Sequence, residues 1–499
     1  MSFRMTSWPG LLALWLVVLL LSIWSHPLLP VDETRYATVA WEMWLRGDFL
    51  VPYLNGEPYS HKPPLFFWLV HGGWWLFGVH EWVVRAVAPL LGLLCLLATA
   101  QLGRTLWPDD PASARLAPWI VFGSLFFTTF LSWVQIDLLL VLFTLLAMTG
   151  IAGAAQGRPA GWLITGVAIG LGVLAKGPVM LVPVLPVALL APLWRRDSAP
   201  HGWWRWYAGV AASVAIGAVI ALSWALPAAT AGGDSYREAI LWGQTAERMV
   251  QSFAHAHPAW WYLPWLGVLF APWLLLPWLW SAVWHARPGR DAGLRLCLVW
   301  LASTFVLMSL VSGKQLKYLL PLLPAFALLL ARVISRMEGG LVRHRDWLVA
   351  AALLLCGLLL MVLPYTLDRA PWIADVPPLW GGLLVAAALV LLLLRPVAAS
   401  GYPLRMALLS VFVTGVVYVG IFRTAAPAYD MRAVSRVLAT AQANGLRVAS
   451  VARYHGQFGF TGRLQQPLVQ LDAGGALAWA AQHPDDQLVV ITGNSPEQY

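Results

Sequence analysis

The chain has 499 residues, of which 60% are hydrophobic and 11% are charged, and its mean hydropathy is +0.69. Repeated apolar runs of membrane-spanning length in such a composition indicate a polytopic membrane protein and exclude a soluble globular fold. The net charge of +9 follows mainly from loop arginines, as the positive-inside rule requires, and does not indicate a nucleic-acid partner. All three cysteines lie inside apolar runs, which argues against a disulfide framework and a thiolate metal site.

The first apolar segment covers residues 11–24 and follows Arg4. It resembles a secretion signal, but it lacks a small-residue cleavage site and many more spans follow it. We therefore predict a retained first helix whose N-terminus is cytoplasmic. The loop after this helix, which carries Asp32 and Glu33, then lies outside.

Residues 65–79 decide the topology, because every later loop changes side if they cross the membrane. The run is short for a span of about 20 residues and contains His71, Gly72 and Gly73. We predict a helix on the outer surface, so that arginine-rich loops fall inside one after another. This leaves about thirteen transmembrane helices: the first, and residues 82–104, 114–132, 137–154, 160–176, 178–194, 206–226, 260–283, 293–311, 317–335, 346–365, 378–395 and 404–424.

The end of the chain changes character, because its apolar runs become shorter. The pattern predicts helices at residues 431–444 and 475–483 and strands at residues 447–451, 468–471 and 487–492. We predict an all-α membrane domain over residues 1–424, with large outer loops at residues 28–81 and 227–260. Residues 425–499 are predicted to form a small α/β domain outside the membrane.

The first outer loop concentrates charge in a chain that has little of it. Asp32 and Glu33 begin an amphipathic pattern typical of a helix lying at the membrane interface. Both carboxylates are candidates for catalysis, but Asp32 or Thr34 also suits the N-cap of that helix, and the spacing leaves both roles open. Lys62 precedes the first turn of the next surface helix, where its charge and the helix dipole suit a phosphate.

Lysine is rare in this chain, with four lysines against 28 arginines. All four fall at outer helix ends: Lys62, Lys176, Lys314 and Lys317. Chance is one interpretation, and ammonium groups that converge on a phosphate are the other. Asp137 lies between two apolar spans without a charged neighbour, where a carboxylate costs about 2.5–3.5 kcal/mol and therefore indicates a function or a partner. Asp137 is thus a third candidate for catalysis, beside Asp32 and Glu33. Tyr318 follows Lys317 at the start of another span, where phosphate is again the natural partner.

The second outer loop carries Arg248, a further candidate for phosphate binding, and the pair His255 and His257. The alternation places both imidazoles on one side of an extended segment, which suits a metal ion, and His61 would supply a third ligand. Interfacial histidines with solvent or lipid partners are the alternative. The remaining candidates for substrate contact are Tyr36, Tyr59 and Lys176.

An ordered set of motifs runs through the first two thirds of the chain. The first outer loop contains Asp32-Glu33-Thr34-Arg35-Tyr36, Gly47-Asp48, Val51-Pro52, Leu54-Asn55-Gly56 and Lys62-Pro63. Later landmarks are Asp137, Lys176-Gly177-Pro178, His257-Pro258-x-Trp260-x-Tyr262 and Lys314-x-x-Lys317-Tyr318-x-x-Pro321. This set resembles the bacterial aminoarabinose transferases of lipid A, within the protein O-mannosyltransferase-like GT-C glycosyltransferases. The resemblance covers residues 8–335 well and the remainder more loosely.

The resemblance implies an inverting glycosyltransferase of the bacterial inner membrane, with its active site and C-terminal domain in the periplasm. Its donor is expected to be a sugar on undecaprenyl phosphate, and its acceptor lipid A or another envelope glycan. A protein acceptor and a non-enzymatic lipid or glycan transporter are the alternatives. Charges gathered at one face, rather than at the midplane, argue against a transporter.

The resemblance also bears on cofactors and on the roles of residues. No nucleotide or organic cofactor is expected. His61 stands where this family has a glutamate linked to a metal, so a Zn or Mg ion with His255 or His257 is one expectation and an absent metal site is the other.

The main chemical task is to stabilise the charge of the departing lipid phosphate. Asp32 is expected to face the acceptor, as general base for a hydroxyl or to orient an anionic phosphate. The candidates for phosphate stabilisation are Lys62, Arg248, Lys314, Lys317 and Tyr318.

Overall fold

The computed structural model describes residues 7–195, 202–242, 256–287, 289, 291–337, 346–366, 370–451 and 453–490. Within these residues the chain is mostly helical, and seven helical segments are long and apolar enough to cross a membrane. These segments are Trp8–Ser25, Glu81–Leu106, Asp137–Ala155, Trp203–Ala231, Ala292–Leu310, Trp347–Thr366 and Ala399–Ala443. The prediction of a helical, polytopic membrane protein is confirmed.

Among the described residues, twenty α-helices precede the last part of the chain. In chain order they are α1 (Trp8–Ser25), α2 (Asp32–Arg46), α3 (Leu65–Phe77), α4 (Glu81–Leu106), α5 (Pro111–Phe122), α6 (Leu125–Phe130), α7 (Asp137–Ala155), α8 (Ala160–Lys176), α9 (Leu181–Leu189), α10 (Ala191–Trp194), α11 (Trp203–Ala231), α12 (Asp234–Glu238), α13 (Tyr262–Leu269), α14 (Pro277–His285), α15 (Ala292–Leu310), α16 (Leu322–Ser335), α17 (Trp347–Thr366), α18 (Leu379–Leu393), α19 (Tyr402–Gly415) and α20 (Arg423–Tyr429). A π-helical stretch, Val416–Phe422, joins α19 to α20.

Several of the expected spans consist of shorter pieces. Residues 114–132 are divided between α5 and α6, and residues 260–283 between α13 and α14. Prolines such as Pro272 and Pro277 explain such interruptions, because proline lacks the N–H that would continue a helix. The total of thirteen spans and their sidedness stay predictions.

The helix α3 is apolar but has only 13 residues, about 20 Å at 1.5 Å per residue, whereas the hydrocarbon core is about 30 Å thick. It packs on α2, where the ring nitrogen Nε2 of His71 donates to the carbonyl of Ala40 at 2.8 Å. Its C-terminal turn points an apolar surface outwards, since Trp75 is 79% exposed and Leu76 and Phe77 are also exposed. Such a surface suits contact with lipid at the membrane interface.

Between α2 and α3 the chain forms a small hairpin of β1 (Tyr53–Leu54) and β2 (Glu57–Pro58). Asn55 and Gly56 form its turn with positive φ angles of 56° and 83°. Glu42 of α2 accepts hydrogen bonds from both turn amides, at 2.6 and 2.9 Å. The hairpin is therefore held against α2.

The last part of the chain forms a three-stranded parallel sheet with helices beside it. Its elements are α21 (Arg432–Ala443), β3 (Val448–Val451), α22 (Gly459–Gly462), β4 (Val469–Leu471), α23 (Ala473–Gln482) and β5 (Gln487–Val490). The strand order is β4-β3-β5, so β3 is central. We call these elements the C-terminal unit, and its standing as a separate domain stays a prediction.

The C-terminal unit docks on α2 and the hairpin through hydrogen bonds and stacked rings. Thr38 of α2 donates to the carbonyl of Gly456 at 2.8 Å and accepts from the amide of Phe460 at 3.0 Å. The Asn55 side chain pairs with both backbone groups of Leu468, at 2.8 and 2.9 Å. Phe460 stacks on Trp74 of α3 with ring centroids 5.3 Å apart. The unit is thereby fixed to the helix that begins with Asp32.

The start of α2 is also fixed from the membrane side, by Arg85 of α4. Arg85 is 2% exposed, and its guanidinium donates to the carbonyls of Ser22 and His26 at the end of α1. The buried Glu33 accepts from the amide of Leu29 at 2.8 Å and from the amide of Val134 at 2.9 Å. One carboxylate thus joins the α1–α2 link to the segment before α7.

His26 makes the folding stability at this junction depend on pH. Burial and the neighbouring Arg85 lower the pKa of His26 from 6.5 to about 4, although the carbonyl of Pro27 accepts from its Nδ1 at 2.8 Å. Since the folded-state pKa lies below the unfolded value, the stabilisation is complete above pH 6.5 and is lost as the pH falls towards 4. A shift of this size corresponds to roughly 3 kcal/mol.

We expect the melting temperature of the wild type in detergent to fall more between pH 7 and pH 4.5 than that of His26→Gln. Glutamine keeps a donor for Pro27 but does not titrate. Differential scanning fluorimetry of both proteins checks this, and equal decreases would contradict the assignment.

Candidate active site

The centre of the site is Asp32, the first residue of α2. Its Oδ2 accepts from Lys317 Nζ at 3.2 Å and from the side-chain amide of Gln135 at 3.2 Å, and its Oδ1 pairs with Arg35. Lys317 also donates to Gln135 Oε1 at 3.2 Å. We call Asp32, Arg35, Gln135 and Lys317 the Asp32 cluster.

Three separate segments supply the Asp32 cluster. Asp32 and Arg35 are three residues apart on α2, a spacing that brings helical side chains together. Gln135 lies in the non-helical link between α6 and α7, and Lys317 lies in a 3₁₀ turn, Leu316–Leu319, before α16. Such irregular backbone is tolerated near a membrane where protein or a polar cavity surrounds it.

The Asp32 cluster lowers the pKa of the Asp32 carboxyl. Burial alone would raise the pKa of Asp32, but the positive charges of Lys317 and Arg35 and the hydrogen bond from Gln135 outweigh it and lower the pKa. The carboxylate is therefore ionised at neutral pH and is a weak base. It suits the orientation of cationic groups better than the removal of a proton.

A buried ion pair lies next to the Asp32 cluster. Asp137, at the start of α7, pairs with Lys176 at the end of α8, and both side chains are less than 10% exposed. The Lys176 ammonium also lies 4.4 Å from the ring centre of Tyr318, a cation–π contact. Lys62 and Lys317 interact electrostatically with Asp137 as well. Three of the four lysines therefore surround this carboxylate.

Two buried tyrosines, Tyr36 and Tyr59, lie beside the Asp32 cluster. Tyr36, one turn after Asp32, is 3% exposed, and the guanidinium of Arg35 lies 5.7 Å from its ring centre. Burial and the charge of Asp32 raise the pKa of Tyr36 well above 10, so the hydroxyl stays protonated. Tyr59 is also buried and interacts electrostatically with Tyr36 and Arg35.

The site carries an excess of positive charge. Four cationic side chains, those of Arg35, Lys62, Lys176 and Lys317, are combined with two carboxylates, Asp32 and Asp137. The formal charges of this group therefore sum to +2. Phosphate esters are the natural ligands for such a group of ammonium and guanidinium ions.

Two of the predicted residues face elsewhere. Both oxygens of Glu33 bind backbone amides in the junction with Arg85, so Glu33 is not available to a substrate in this arrangement. Lys314 is 2% exposed, and its ammonium donates to the carbonyls of His257 at 2.9 Å and of Val311. Lys314 fixes the segment that enters α13, and it does not present its charge to a ligand.

The expected metal ligands stay a prediction. His61 is exposed and its ring lies 5.1 Å from that of Tyr59, whereas His257 stacks on Trp261 at 4.5 Å. His255 and Arg248 lie outside the described residues. Among the described residues, no group of three or more His, Cys, Asp or Glu side chains could hold a metal ion.

Sequence reasoning missed Gln135 and the contribution of Arg35. Gln135 is 2% exposed and forms hydrogen bonds with both Asp32 and Lys317. Its signal was a polar residue two positions before Asp137 in an otherwise apolar segment.

Comparisons with known proteins place these features in a family. Residues 61–224 match the family described as dolichyl-phosphate-mannose-protein mannosyltransferase. The crystal structure of ArnT from Cupriavidus metallidurans bound to undecaprenyl phosphate has the same fold, with a TM-score of 0.75 at 20% identity over 96% of this chain and 88% of that chain. The apo oligosaccharyltransferase of Archaeoglobus fulgidus is a more distant structural relative, with a TM-score of 0.50 at 13% identity over 92% of this chain and 64% of that chain.

Two relatives share the name undecaprenyl phosphate-alpha-4-amino-4-deoxy-L-arabinose arabinosyl transferase. The protein from Pseudomonas fluorescens, whose name carries the number 2, is 32% identical over 66% of this chain and 61% of its own length. The protein from Pseudomonas aeruginosa is 32% identical over 426 residues, which are 81% of this chain and 73% of the relative. The chain therefore belongs to the family of the undecaprenyl phosphate-alpha-4-amino-4-deoxy-L-arabinose arabinosyl transferases.

Proposed function

We propose that this protein transfers 4-amino-4-deoxy-L-arabinose from undecaprenyl phosphate to lipid A, at the outer face of the bacterial inner membrane. The names of its relatives support the sugar and the carrier. The observation that carries the proposal is the excess of cationic groups around Asp32 and Asp137, because both donor and acceptor present phosphate there.

When the bond between the sugar and the donor phosphate breaks, the phosphate oxygen keeps the electron pair and gains negative charge. Lys317 and Lys62 are proposed to stabilise that charge, because both interact with Asp137, and Tyr318 lies beside Lys176 in the same group. Fixed cations of this kind lower the barrier because they need no rearrangement during the reaction. Arg248 lies outside the described residues and stays a predicted contributor to phosphate binding.

Asp32 is proposed to orient the cationic groups and the acceptor. A carboxylate that Lys317 and Arg35 already neutralise is a poor base, which disfavours a neutral hydroxyl as nucleophile. An acceptor phosphate is anionic without a base and can attack the sugar directly. The acidity of Asp32 therefore supports lipid A as the acceptor.

Glu33 and Lys314 are proposed to be positioning residues. Glu33 holds the start of α2 against the segment that carries Gln135, and Lys314 holds the entry to α13. Neither side chain needs to touch a substrate in order to affect the geometry of the site.

A protein acceptor is the second candidate function. The family that matches residues 61–224 is described by protein mannosyl transfer, which supports this candidate. A protein hydroxyl would need a base, and the acidity of Asp32 speaks against it.

The decisive experiment supplies purified protein with labelled undecaprenyl-phosphate aminoarabinose and lipid A. We expect stoichiometric release of undecaprenyl phosphate and addition of the sugar to lipid A, detected by mass spectrometry. Parallel reactions with unfolded polypeptide acceptors test the alternative. Transfer to polypeptide alone would contradict the proposed acceptor, and no release from the donor would contradict an enzymatic role.

We expect Asp32→Asn to reduce kcat by about 100-fold or more, because a neutral amide cannot hold both Arg35 and Lys317 in place. Asp472→Asn is the matched control, because Asp472 caps α23 and asparagine caps a helix about as well. Circular dichroism and melting temperature establish that the variants are folded. Near-normal transfer by folded Asp32→Asn would remove Asp32 from the mechanism.

We expect Asp137→Asn to be destabilised by about 3–5 kcal/mol, because it leaves the Lys176 ammonium buried without its partner. The double variant Asp137→Asn/Lys176→Met should regain stability, because no charge then stays buried. Transfer activity should stay low in the double variant. Recovery of both stability and activity would show that the pair has only a structural role.

A further inference from the structure

The C-terminal unit brings one loop to the active site. Residues 453–458 follow β3, the central strand of a parallel sheet, at its carboxyl end. In open parallel sheets this end of the central strand is where loops most often bind ligands. Here the loop points at α2.

Close packing fixes the position of this loop on α2. The carbonyl of Gly456 accepts from Thr38, and Gly456 has a φ angle of +84°. A Cβ atom at this position would lie 3.1 Å from Cα of Arg35 and 3.0 Å from a methyl group of Leu54. The backbone approach therefore requires glycine, and it places the loop within one helical turn of Asp32.

Two polar residues of the loop, Arg453 and His455, precede Gly456. His455 interacts electrostatically with Arg35 and Arg453, and its backbone amide donates to the side chain of Gln457 at 2.9 Å. Arg453 is exposed and His455 is half-buried. Within the described residues, no carboxylate pairs with Arg453 and the His455 ring makes no hydrogen bond.

Asp32 lies between Arg35 on one side and a group of lysines on the other. Its Oδ1 faces Arg35, beside the loop of the C-terminal unit, whereas its Oδ2 faces Lys317 and, beyond it, the lysines around Asp137. A transfer between two phosphate-bearing lipids needs two anion sites. The lysine group suits the leaving phosphate, and the side of Asp32 that carries Arg35 and the loop suits the second substrate.

We propose that Arg453 and His455 form, with Arg35, the subsite that binds the phosphate of the acceptor lipid. The inference rests on the proposed function and deepens it, because it assigns acceptor recognition to the C-terminal unit. Burial, Arg35 and Arg453 lower the pKa of His455, so its ring is neutral at pH 7 and contributes a hydrogen bond rather than a charge.

The test compares Arg453→Gln, His455→Gln and the control Arg436→Gln in the full-length protein. Arg436 is exposed on α21 of the same unit, so its substitution makes the same change in net charge. We expect Arg453→Gln to raise the KM for lipid A by about tenfold, with kcat and the KM for the donor unchanged. His455→Gln should raise the same KM less, Arg453→Lys should restore it in part, and Arg436→Gln should leave it unaltered.

A second measurement separates this inference from the proposed function. Binding of fluorescent lipid A to the purified protein without donor should weaken in Arg453→Gln, and this difference should diminish at high salt. If the wild type transfers no sugar to lipid A, the proposed function fails and the binding measurement alone decides the inference. An unchanged lipid A affinity in Arg453→Gln, or an increase in the donor KM instead, would overturn the inference.

Discussion

The structure depends on one constraint: a carboxylate at the edge of a membrane must be shared by several cations. Asp32 meets this constraint through Arg35 on its own helix and Lys317 from a distant turn, with Gln135 between them. Because these partners come from three segments, the position of α2 is coupled to the helices on either side. Arg85 and Glu33 reinforce this coupling at the junction with α1, and the hydrogen bond from Thr38 to Gly456 reinforces it at the C-terminal unit. Loss of either support would displace Asp32 without a change to any group that touches a substrate.

The charged groups were the most predictable part of the site, because charge in an apolar chain is costly wherever it is not used. Asp137 and Lys176 were singled out for that reason alone, and the structure pairs them. The helical, polytopic fold was equally readable from hydropathy, since the length of an apolar run is set by the membrane. Interrupted spans were less readable, because α5 and α6, or α13 and α14, form one apolar run in the sequence and two helices in space.

The sequence could not reveal the direction in which each charged side chain points. Glu33 is adjacent to Asp32 in the chain, yet successive residues of a helix point about 100° apart, so one carboxylate faces the site and the other the junction with Arg85. Lys314 lies three residues before Lys317, a spacing that would bring the two side chains together on a helix. The backbone there is not helical, and the Lys314 ammonium turns towards carbonyl groups. Gln135 was overlooked because a single amide carries little weight until its two partners are known.

The exposed apolar turn of α3 bears on how the reaction should be measured. Trp75, Leu76 and Phe77 lie on the helix that packs against α2, an arrangement that suits a site at the boundary between hydrocarbon and water. For the proposed function, both lipid substrates then arrive by lateral diffusion in the lipid phase, and their concentration in water has no direct meaning for the enzyme. Michaelis constants for this protein should therefore scale with the mole fraction of substrate in the bilayer or micelle, and diluting the lipid phase should slow transfer even when the total amount of substrate is constant.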